Sequence, residues 1–215
     1  SIKVTVYVVV ESLYSMDGDM APLMGIQAIS EEHGAYLIID EAHSGGVFGS
    51  NGRGIVHARG MQSKIFGRVL TFGKAYGYHG AVILCSSSLK EYLVNYCRSF
   101  IYTTALPIAT YSSIAQRVQS SSIKDRQLEL HENITYFREK MLDFDILSEE
   151  NSPIQVLEFD NKEALLSLVK KMINAGIYTK PIFPPTVPKD AFRIRLCIHS
   201  FNSKEEIDLL VSCLK

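Results

Sequence analysis

A lysine between two glycines has the surroundings that most favour chemistry in this sequence. Lys74 lies between Gly73 and Gly77 and follows the short apolar run Val69-Leu70. A lysine at the end of an apolar strand is expected to lose hydration, which disfavours its ammonium form and favours the neutral amine that attacks an aldehyde. The glycines leave room for a planar ligand. The segment therefore predicts a lysine that forms a Schiff base with a cofactor aldehyde.

An aspartate is predicted at the carboxyl end of a buried strand. Residues 36–39 form the apolar run and Asp40 follows it. Open α/β sheets bind ligands at this end of their strands. A carboxylate there suits a protonated ring nitrogen, the arrangement that makes pyridoxal phosphate an electron sink. On spacing alone, a surface lysine in a glycine-rich turn and a capping aspartate are an equal alternative.

Four short blocks of the sequence carry a resemblance to a known family. They are residues 15–19 (S-M-D-G-D), 40–43 (D-E-A-H), 71–74 (T-F-G-K) and 184–188 (P-P-T-V-P). In this order and at these separations they resemble the α-oxoamine synthase family of pyridoxal-phosphate enzymes. The resemblance covers nearly the whole chain, but only the second part of a family member. It implies pyridoxal 5'-phosphate as the cofactor and leads us to expect a piece of a longer protein.

The resemblance implies an α/β fold of the PLP-dependent transferase type (fold type I, aminotransferase-like). Residues 1–106 would be the second half of the large, mostly parallel-sheet domain, 107–145 a linking helical segment, and 146–215 a small C-terminal α/β domain. The alternation of apolar runs with helical spacing agrees with an α/β fold.

The same patterns predict the individual elements. Strands are predicted at residues 4–10, 36–39, 69–72, 81–84, 154–159 and 193–198, and helices at 23–33, 86–100, 107–142 with a break near 120–122, 162–174 and 203–214. The first strand is expected in the sheet interior, buried on both faces. The glycines at 45–54 predict a mobile or tightly turning loop.

The resemblance assigns the catalytic roles to Lys74, Asp40 and His43. Asp40 would bind the pyridinium nitrogen and His43 the cofactor's phenolic oxygen, with a capping or exposed histidine as the alternative. Glu41 lies between them but should face away if strand alternation continues. It is left out of the predicted site.

Further cofactor contacts are implied at four hydroxyl residues. Ser15 matches a serine that contacts the cofactor, and Thr71 a threonine that binds its phosphate. Thr103 and Thr104 match residues that reach the phosphate site of the neighbouring subunit, which would make a homodimer with shared active sites. A helix cap before Pro107 is the plain alternative for both threonines.

Substrate contacts are implied near the C-terminus. Residues 192–196 (F-R-I-R-L) alternate so that Arg193 and Arg195 share one side of a strand. The resemblance makes Arg195 the ligand of the amino-acid carboxylate, which a guanidinium binds bidentately. Thr186 matches a threonine near the substrate. The role of His79 is left open.

The resemblance implies a decarboxylating condensation of a small amino acid with an acyl thioester. L-alanine with pimeloyl-CoA or a pimeloyl carrier protein, giving 8-amino-7-oxononanoate for biotin synthesis, is the favoured pair. Glycine with acetyl-CoA (the 2-amino-3-ketobutyrate ligase reaction), serine with a palmitoyl thioester, and a non-catalytic subunit are the alternatives.

Composition excludes several other classes. A net charge of -1 with interspersed signs argues against a nucleic-acid surface. The four cysteines lack C-x-x-C spacing, so neither a metal site nor a disulfide framework is indicated, and reduced thiols fit a cytoplasmic protein. Residues 4–10 are too few for a membrane span, which takes about 20 residues. The D-E-A-H letters also occur in helicases, but the phosphate-binding loop those enzymes need upstream is absent.

Overall fold

The computed structural model describes residues 4–189 and 191–215, and contacts divide the chain into two compact units. The first comprises the chain up to Leu13 together with Ala21–Lys124, and the second comprises Tyr14–Met20 together with Asp125–Lys215. The finer division at residues 106 and 145 stays a prediction.

The first unit is built on a four-stranded sheet in the order β1-β2-β3-β4. Its strands are β1 (Tyr7–Glu11), β2 (Tyr36–Asp40), β3 (Gly67–Thr71) and β4 (Ala81–Cys85). The first three are parallel, and β4 runs antiparallel to β3. In this register Asp40 lies between Glu11 of β1 and Val69 of β3. All four strands were predicted from their apolar runs.

Apart from the short helix α2, which was not predicted, the helices of the first unit follow the predicted segments, with one additional break. They are α1 (Leu23–Glu32), α2 (Gly54–Ala58), α3 (Ser87–Tyr96), α4 (Arg98–Ile101) and α5 (Ile108–Val118). The Ser86 hydroxyl accepts a hydrogen bond from the N–H of Leu89 at 3.2 Å, so the predicted serine cap of α3 is confirmed. The single helix predicted over 86–100 is wrong, because Cys97 adopts an extended conformation and separates α3 from α4.

The prediction that residues 4–10 form an interior strand is only partly right. The strand exists, but it lies at the sheet edge among the described residues, and Tyr7 and Val9 are 53% and 66% exposed. Within the described chain only β2 pairs with it, and the Tyr7 ring packs against the rings of Tyr36 and Phe66.

The second unit contains a three-stranded antiparallel sheet in the order β5-β7-β6. Its elements are α6 (Ser122–Lys140, whose first residues belong to the first unit), β5 (Ile154–Phe159), α7 (Lys162–Asn174), β6 (Pro181–Ile182), β7 (Phe192–Cys197) and α8 (Lys204–Leu214). The helices cover an apolar core that includes Phe137, Leu165 and Ile194. β6 was not predicted, since two residues carry no periodicity.

The helices and the cysteines were also compared with the requirements of a membrane span and of a disulfide. None of the helices in the described ranges combines the length and apolar character that a membrane crossing requires. All four cysteines, Cys85, Cys97, Cys197 and Cys213, are free thiols.

Candidate active site

Several of the predicted residues lie at the carboxyl ends of parallel strands in the first unit's sheet. Because β2 and β3 run parallel, their carboxyl ends lie on the same side. Asp40 is the last residue of β2, and Thr71 is the last residue of β3. His43 and Lys74 each lie three residues beyond these strand ends. In open α/β sheets this edge is where ligands bind.

Asp40 and His43 lie at the start of one hydrogen-bonded turn, and both are half-buried. The Oδ1 atom of Asp40 accepts a hydrogen bond from the N–H of Ala42 at 2.7 Å. The turn closes where the N–H groups of Ser44 and Gly45 donate to the carbonyl oxygen of Glu41, at 3.2 and 2.8 Å. The bond from Ala42 orients the Asp40 carboxylate at the strand end.

A buried ion pair starts from the residue after Asp40, and sequence reasoning missed it. The Glu41 side chain is fully buried and pairs with the guanidinium of Arg68 in β3, whose side chain is 8% exposed. Strand alternation had predicted only that Glu41 faces away from Asp40. The arginine within an otherwise apolar strand was the available signal, because a buried guanidinium requires a partner.

Lys74 lies in a tight turn after β3, and its side chain is exposed. The N–H of Gly77 donates to the carbonyl oxygen of Lys74 at 2.9 Å, and the N–H of Tyr78 donates to that of Phe72 at 2.7 Å. Gly77 has a φ of +58°, which favours glycine. The expectation that Lys74 loses hydration is wrong for this structure, because the lysine stands in the turn rather than at the end of the strand.

Tyr76 anchors this turn from within the protein. Its hydroxyl donates to the carbonyl oxygen of Gly52 at 3.0 Å, and burial raises the pKa of Tyr76. The Arg117 guanidinium donates to the carbonyl oxygen of Tyr76 at 3.2 Å. A Cβ atom added at Gly46 would lie 2.6 Å from the Cβ of Ala75, so a glycine is required where the loop approaches the lysine turn. The glycine loop is therefore tightly turning and packed against this turn.

The hydroxyl of Thr71 provides a test of whether the site fits a phosphate group. Thr71 Oγ1 is buried and has no hydrogen-bond partner in the part of the chain that the structure describes. Buried hydroxyls nearly always have a partner, so this hydroxyl is available to donate to a group that binds beside it. A phosphate oxygen accepts hydrogen bonds from hydroxyls. Thr71 therefore fits the phosphate contact that the resemblance implied.

Thr103 and Thr104 lie in an exposed segment between α4 and α5. The Thr103 hydroxyl donates to the carbonyl oxygen of Ser99 at 2.6 Å, and α5 begins at Ile108 with no side-chain cap. The helix-cap alternative is therefore wrong, because residues 105–107 lie between the two threonines and the first residue of α5. Their contact with a neighbouring subunit's phosphate stays a prediction.

In the second unit the two arginines of β7 differ in their partners. The Arg193 guanidinium forms ion pairs with the carboxylates of Asp17 and Glu158. Arg195 donates from Nε to the carbonyl oxygen of Ser15 at 2.7 Å and from Nη1 to the sulfur of Cys197 at 3.0 Å. Within the described ranges no carboxylate forms an ion pair with Arg195.

The two remaining residues of the predicted site also belong to the second unit. Ser15 is half-buried, and its carbonyl oxygen binds Arg195. Thr186 is exposed in a loop, where its N–H donates to the carbonyl oxygen of Phe183 at 3.1 Å. The cofactor contact of Ser15 and the substrate contact of Thr186 stay predictions.

Comparison with known proteins decides the family. A model of the aminotransferase class I and II family matches residues 2–214. The chain belongs to this family. Two sequence relatives are named 8-amino-7-oxononanoate synthase: that of Klebsiella pneumoniae strain 342 is 38% identical over 211 residues, and that of Emericella nidulans 36% over 224. These relatives confirm the predicted α-oxoamine synthase group within the aminotransferase family.

The matches cover nearly all of this chain but not of the relatives. The two alignments cover 96% and 97% of this chain. They cover 54% of each relative, so the chain spans about half the length of these two relatives.

Solved structures in the same family agree with the fold. The serine palmitoyltransferase of Sphingomonas wittichii superposes with a TM-score of 0.90 at 28% identity, over 97% of this chain and 53% of that one. The 8-amino-7-oxononanoate synthase of Francisella tularensis gives 0.81 at 28% identity, over 98% and 62%. A further serine palmitoyltransferase, with a TM-score of 0.88, was solved with pyridoxal phosphate as an internal aldimine. The predicted fold and the assignment to a pyridoxal-phosphate family are confirmed.

Proposed function

We propose that this chain binds pyridoxal phosphate through Lys74, Asp40, His43 and Thr71 and forms part of an α-oxoamine synthase. The observation that carries the proposal is the position of these residues at the carboxyl ends of two neighbouring parallel strands. The strand that ends in Asp40 pairs in parallel with the strand that ends in Thr71, whose hydroxyl has no partner among the described residues, and the turns that carry His43 and Lys74 follow these two strands.

Each of these residues has a distinct role toward the cofactor. Pyridoxal phosphate, when bound, supplies an aldehyde carbon for an amine and a ring that accepts the electron pair left at a substrate Cα. Asp40 holds a proton at the ring nitrogen, and His43 binds the phenolic oxygen. Thr71 donates its hydroxyl hydrogen to the phosphate. Lys74 would hold the cofactor at its aldehyde carbon through Nζ, and its amine would serve as the base for the Cα proton of the substrate.

Arg195 is proposed as the ligand of the amino-acid carboxylate. Its neighbour Arg193 already pairs with two carboxylates, whereas the hydrogen bonds of Arg195 go to a carbonyl oxygen and a sulfur atom. A guanidinium that forms no ion pair with a carboxylate among the described residues suits a bidentate pair with a substrate carboxylate. Ser15 and Thr186 are proposed as lesser contacts to cofactor and substrate.

We propose L-alanine and a pimeloyl thioester, carried by CoA or a carrier protein, as the substrates. A carbon–carbon bond forms between the alanine Cα and the thioester carbonyl carbon, the thiol leaves, and carbon dioxide is lost, which gives 8-amino-7-oxononanoate. The sequence relatives of that name support this pair. Serine with a palmitoyl thioester is the second candidate, supported by the TM-score of 0.90. A cytoplasmic homodimer that shares its sites through Thr103 and Thr104 belongs to the same proposal.

Reduction and mapping test the cofactor lysine. Full-length protein loaded with pyridoxal phosphate is reduced with borohydride, digested and analysed by mass spectrometry. The adduct is expected on Lys74, and the exposed Lys64 serves as the internal control. An adduct on another lysine, or none, would remove the basis of the proposal.

A substrate panel tests the reaction. Alanine, glycine and serine are each paired with pimeloyl, acetyl, succinyl and palmitoyl thioesters, and kcat/KM is measured from thiol release. Alanine with the pimeloyl thioester is expected to give the highest value. A preference for glycine with acetyl-CoA or for serine with palmitoyl-CoA would reassign the substrates while leaving the cofactor site intact.

A further inference from the structure

We propose that Glu41 is a positioning residue of this site, whose buried carboxylate sets the turn that carries His43. The inference rests on the proposed function, in which His43 binds the cofactor. Glu41 itself is not assigned any contact with cofactor or substrate.

One oxygen of Glu41 joins two points of the chain that follows it. Oε1 accepts a hydrogen bond from the hydroxyl of Ser44 at 2.9 Å and another from the N–H of Val56 at 3.0 Å. His43 lies between Glu41 and Ser44 in the sequence. The hydrogen bond between these two side chains therefore closes the short segment that contains His43. The bond to Val56 fixes the far end of the glycine loop to the same point.

The other oxygen of Glu41 belongs to the pair with Arg68. Arg68 donates from Nε to Oε2 and from Nη2 to the carbonyl oxygen of Arg53. Burying one charge alone is costly, and the pairing removes most of that cost. The two oxygens therefore have separable tasks, since Oε1 holds the turn and Oε2 is neutralised by β3.

The network also reaches Ser12, the residue that directly follows β1 on the other side of β2. The hydroxyls of Ser12 and Ser44 lie 2.8 Å apart, and Ser12 Oγ donates to the carbonyl oxygen of Asp40 at 3.2 Å. Both serines are fully buried. A Cβ atom at Gly54 would lie 2.5 and 2.7 Å from the two carboxylate oxygens of Glu41, so the backbone closes over the carboxylate. The position of Glu41 is thus fixed from several sides.

Two double variants separate positioning from the mere presence of a buried ion pair. Glu41→Gln/Arg68→Met and Glu41→Met/Arg68→Met both remove the two charges, and apolar replacement of a whole pair is tolerated. Only the glutamine keeps an oxygen that accepts from Ser44 and Val56. The matched control is Arg126→Met/Glu129→Met, which removes an exposed ion pair elsewhere.

The first measurement needs no cofactor. Histidines of the full-length apoprotein are labelled with ¹³C, and the His43 resonance is assigned by its loss in His43→Asn. We expect the methionine double variant to shift this resonance, and the glutamine double variant and the control to leave it in place. Circular dichroism and thermal unfolding establish that each variant folds. If the methionine variant does not fold, Ser44→Ala replaces it and is expected to shift the same resonance.

The second measurement is the dissociation constant of pyridoxal phosphate, followed by its visible absorption. The methionine variant is expected to bind pyridoxal phosphate about tenfold more weakly. This is the effect expected when the hydrogen bond between His43 and the phenolic oxygen of the cofactor is lost. The glutamine variant should stay within about twofold of the parent protein. Equal behaviour of the two double variants in both measurements would overturn the positioning role. Failure of the proposed function would show separately, as an adduct away from Lys74 in the unchanged protein.

Discussion

The hydroxyl of Tyr76 lies 3.0 Å from the carbonyl oxygen of Gly52, and this hydrogen bond joins the Lys74 turn to the glycine loop that follows His43. The bond is buried and bridges residues 24 positions apart in the sequence. It links the turn that carries Lys74 directly to the glycine loop.

Tyr76→Phe is expected to destabilise the protein, because the phenyl ring still fills the site but the buried hydrogen bond to Gly52 is lost, and the Gly52 carbonyl oxygen keeps only the N–H of Gly46 as a donor among the described residues, at 2.8 Å. The expected cost is about 1 kcal/mol in the free energy of unfolding, the net contribution of one hydrogen bond. Urea titration followed by circular dichroism measures it. Tyr102→Phe, at a tyrosine that is 79% exposed, is the control and should have no effect. An unchanged Tyr76→Phe variant would show that the bond contributes nothing.

The same residue predicts a loss of stability at alkaline pH. Burial raises the pKa of Tyr76 above its ordinary value of 10.0. A group whose pKa is higher in the folded state stabilises the fold fully below its unfolded pKa, and this contribution is lost as pH rises through the folded pKa. The melting temperature should therefore fall more steeply above pH 10.0 in the parent protein than in Tyr76→Phe. Parallel curves for the two proteins would contradict the burial effect.

Thr71→Val is expected to weaken cofactor binding without destabilising the protein. Valine has nearly the same shape, and the Thr71 hydroxyl has no partner among the described residues, so its removal leaves no protein group unsatisfied. The affinity for pyridoxal phosphate should fall about tenfold, as for one lost hydrogen bond to a charged phosphate. Absorbance titration measures affinity, and thermal unfolding of the apoprotein measures stability. A large loss of apoprotein stability would instead indicate a structural role.

Asp40→Asn is expected to keep the link between Lys74 and the cofactor but to lose turnover by about a hundredfold or more. The asparagine oxygen still accepts the hydrogen bond from Ala42, so the turn is retained. The amide lacks the charge that holds a proton at the ring nitrogen. Borohydride mapping checks the link, and steady-state assay gives kcat. Near-normal kcat would show that Asp40 does not act on the ring.

Arg195→Ala is expected to impair amino-acid binding, whereas Arg193→Ala is expected to impair stability. Loss of Arg195 should weaken amino-acid binding by a few kcal/mol, on the order expected for a bidentate pair, with cofactor affinity unchanged. Loss of Arg193 should lower stability instead, because Asp17 and Glu158 lose their partner. Amino-acid KM, cofactor affinity and melting temperature are compared. If Arg195→Ala weakens cofactor and amino acid equally, the arginine is structural.

Local patterns predicted most elements of the fold. β5 and α7 have the predicted bounds, because alternation and helical spacing depend only on nearby residues. The capping box at the start of α8, between Ser203 and Glu206, is similarly local and marks the predicted boundary.

Features that depend on distant residues were not predictable in this way. Arg68 is 27 residues from Glu41, so only the parallel pairing of β2 and β3 brings the two together. The exposure of Lys74 depends on how far its turn extends beyond β3, which an apolar run does not specify. The proposed roles of Asp40, His43 and Lys74 come from a family resemblance, whereas their common position at the carboxyl ends of β2 and β3 follows from the parallel pairing of these strands.

The path of the chain limits how this protein can be divided for experiments. The short segment Tyr14–Met20 belongs to the second unit, so the chain passes between the units after Leu13, after Met20 and after Lys124. In that segment Asp17 pairs with Arg193, and the carbonyl oxygen of Gly18 accepts from the N–H of Glu149 at 3.2 Å. A gene cut at Asp125 would leave these groups without their partners. Expressing the second unit alone requires a splice that joins Met20 to Asp125 through a new linker.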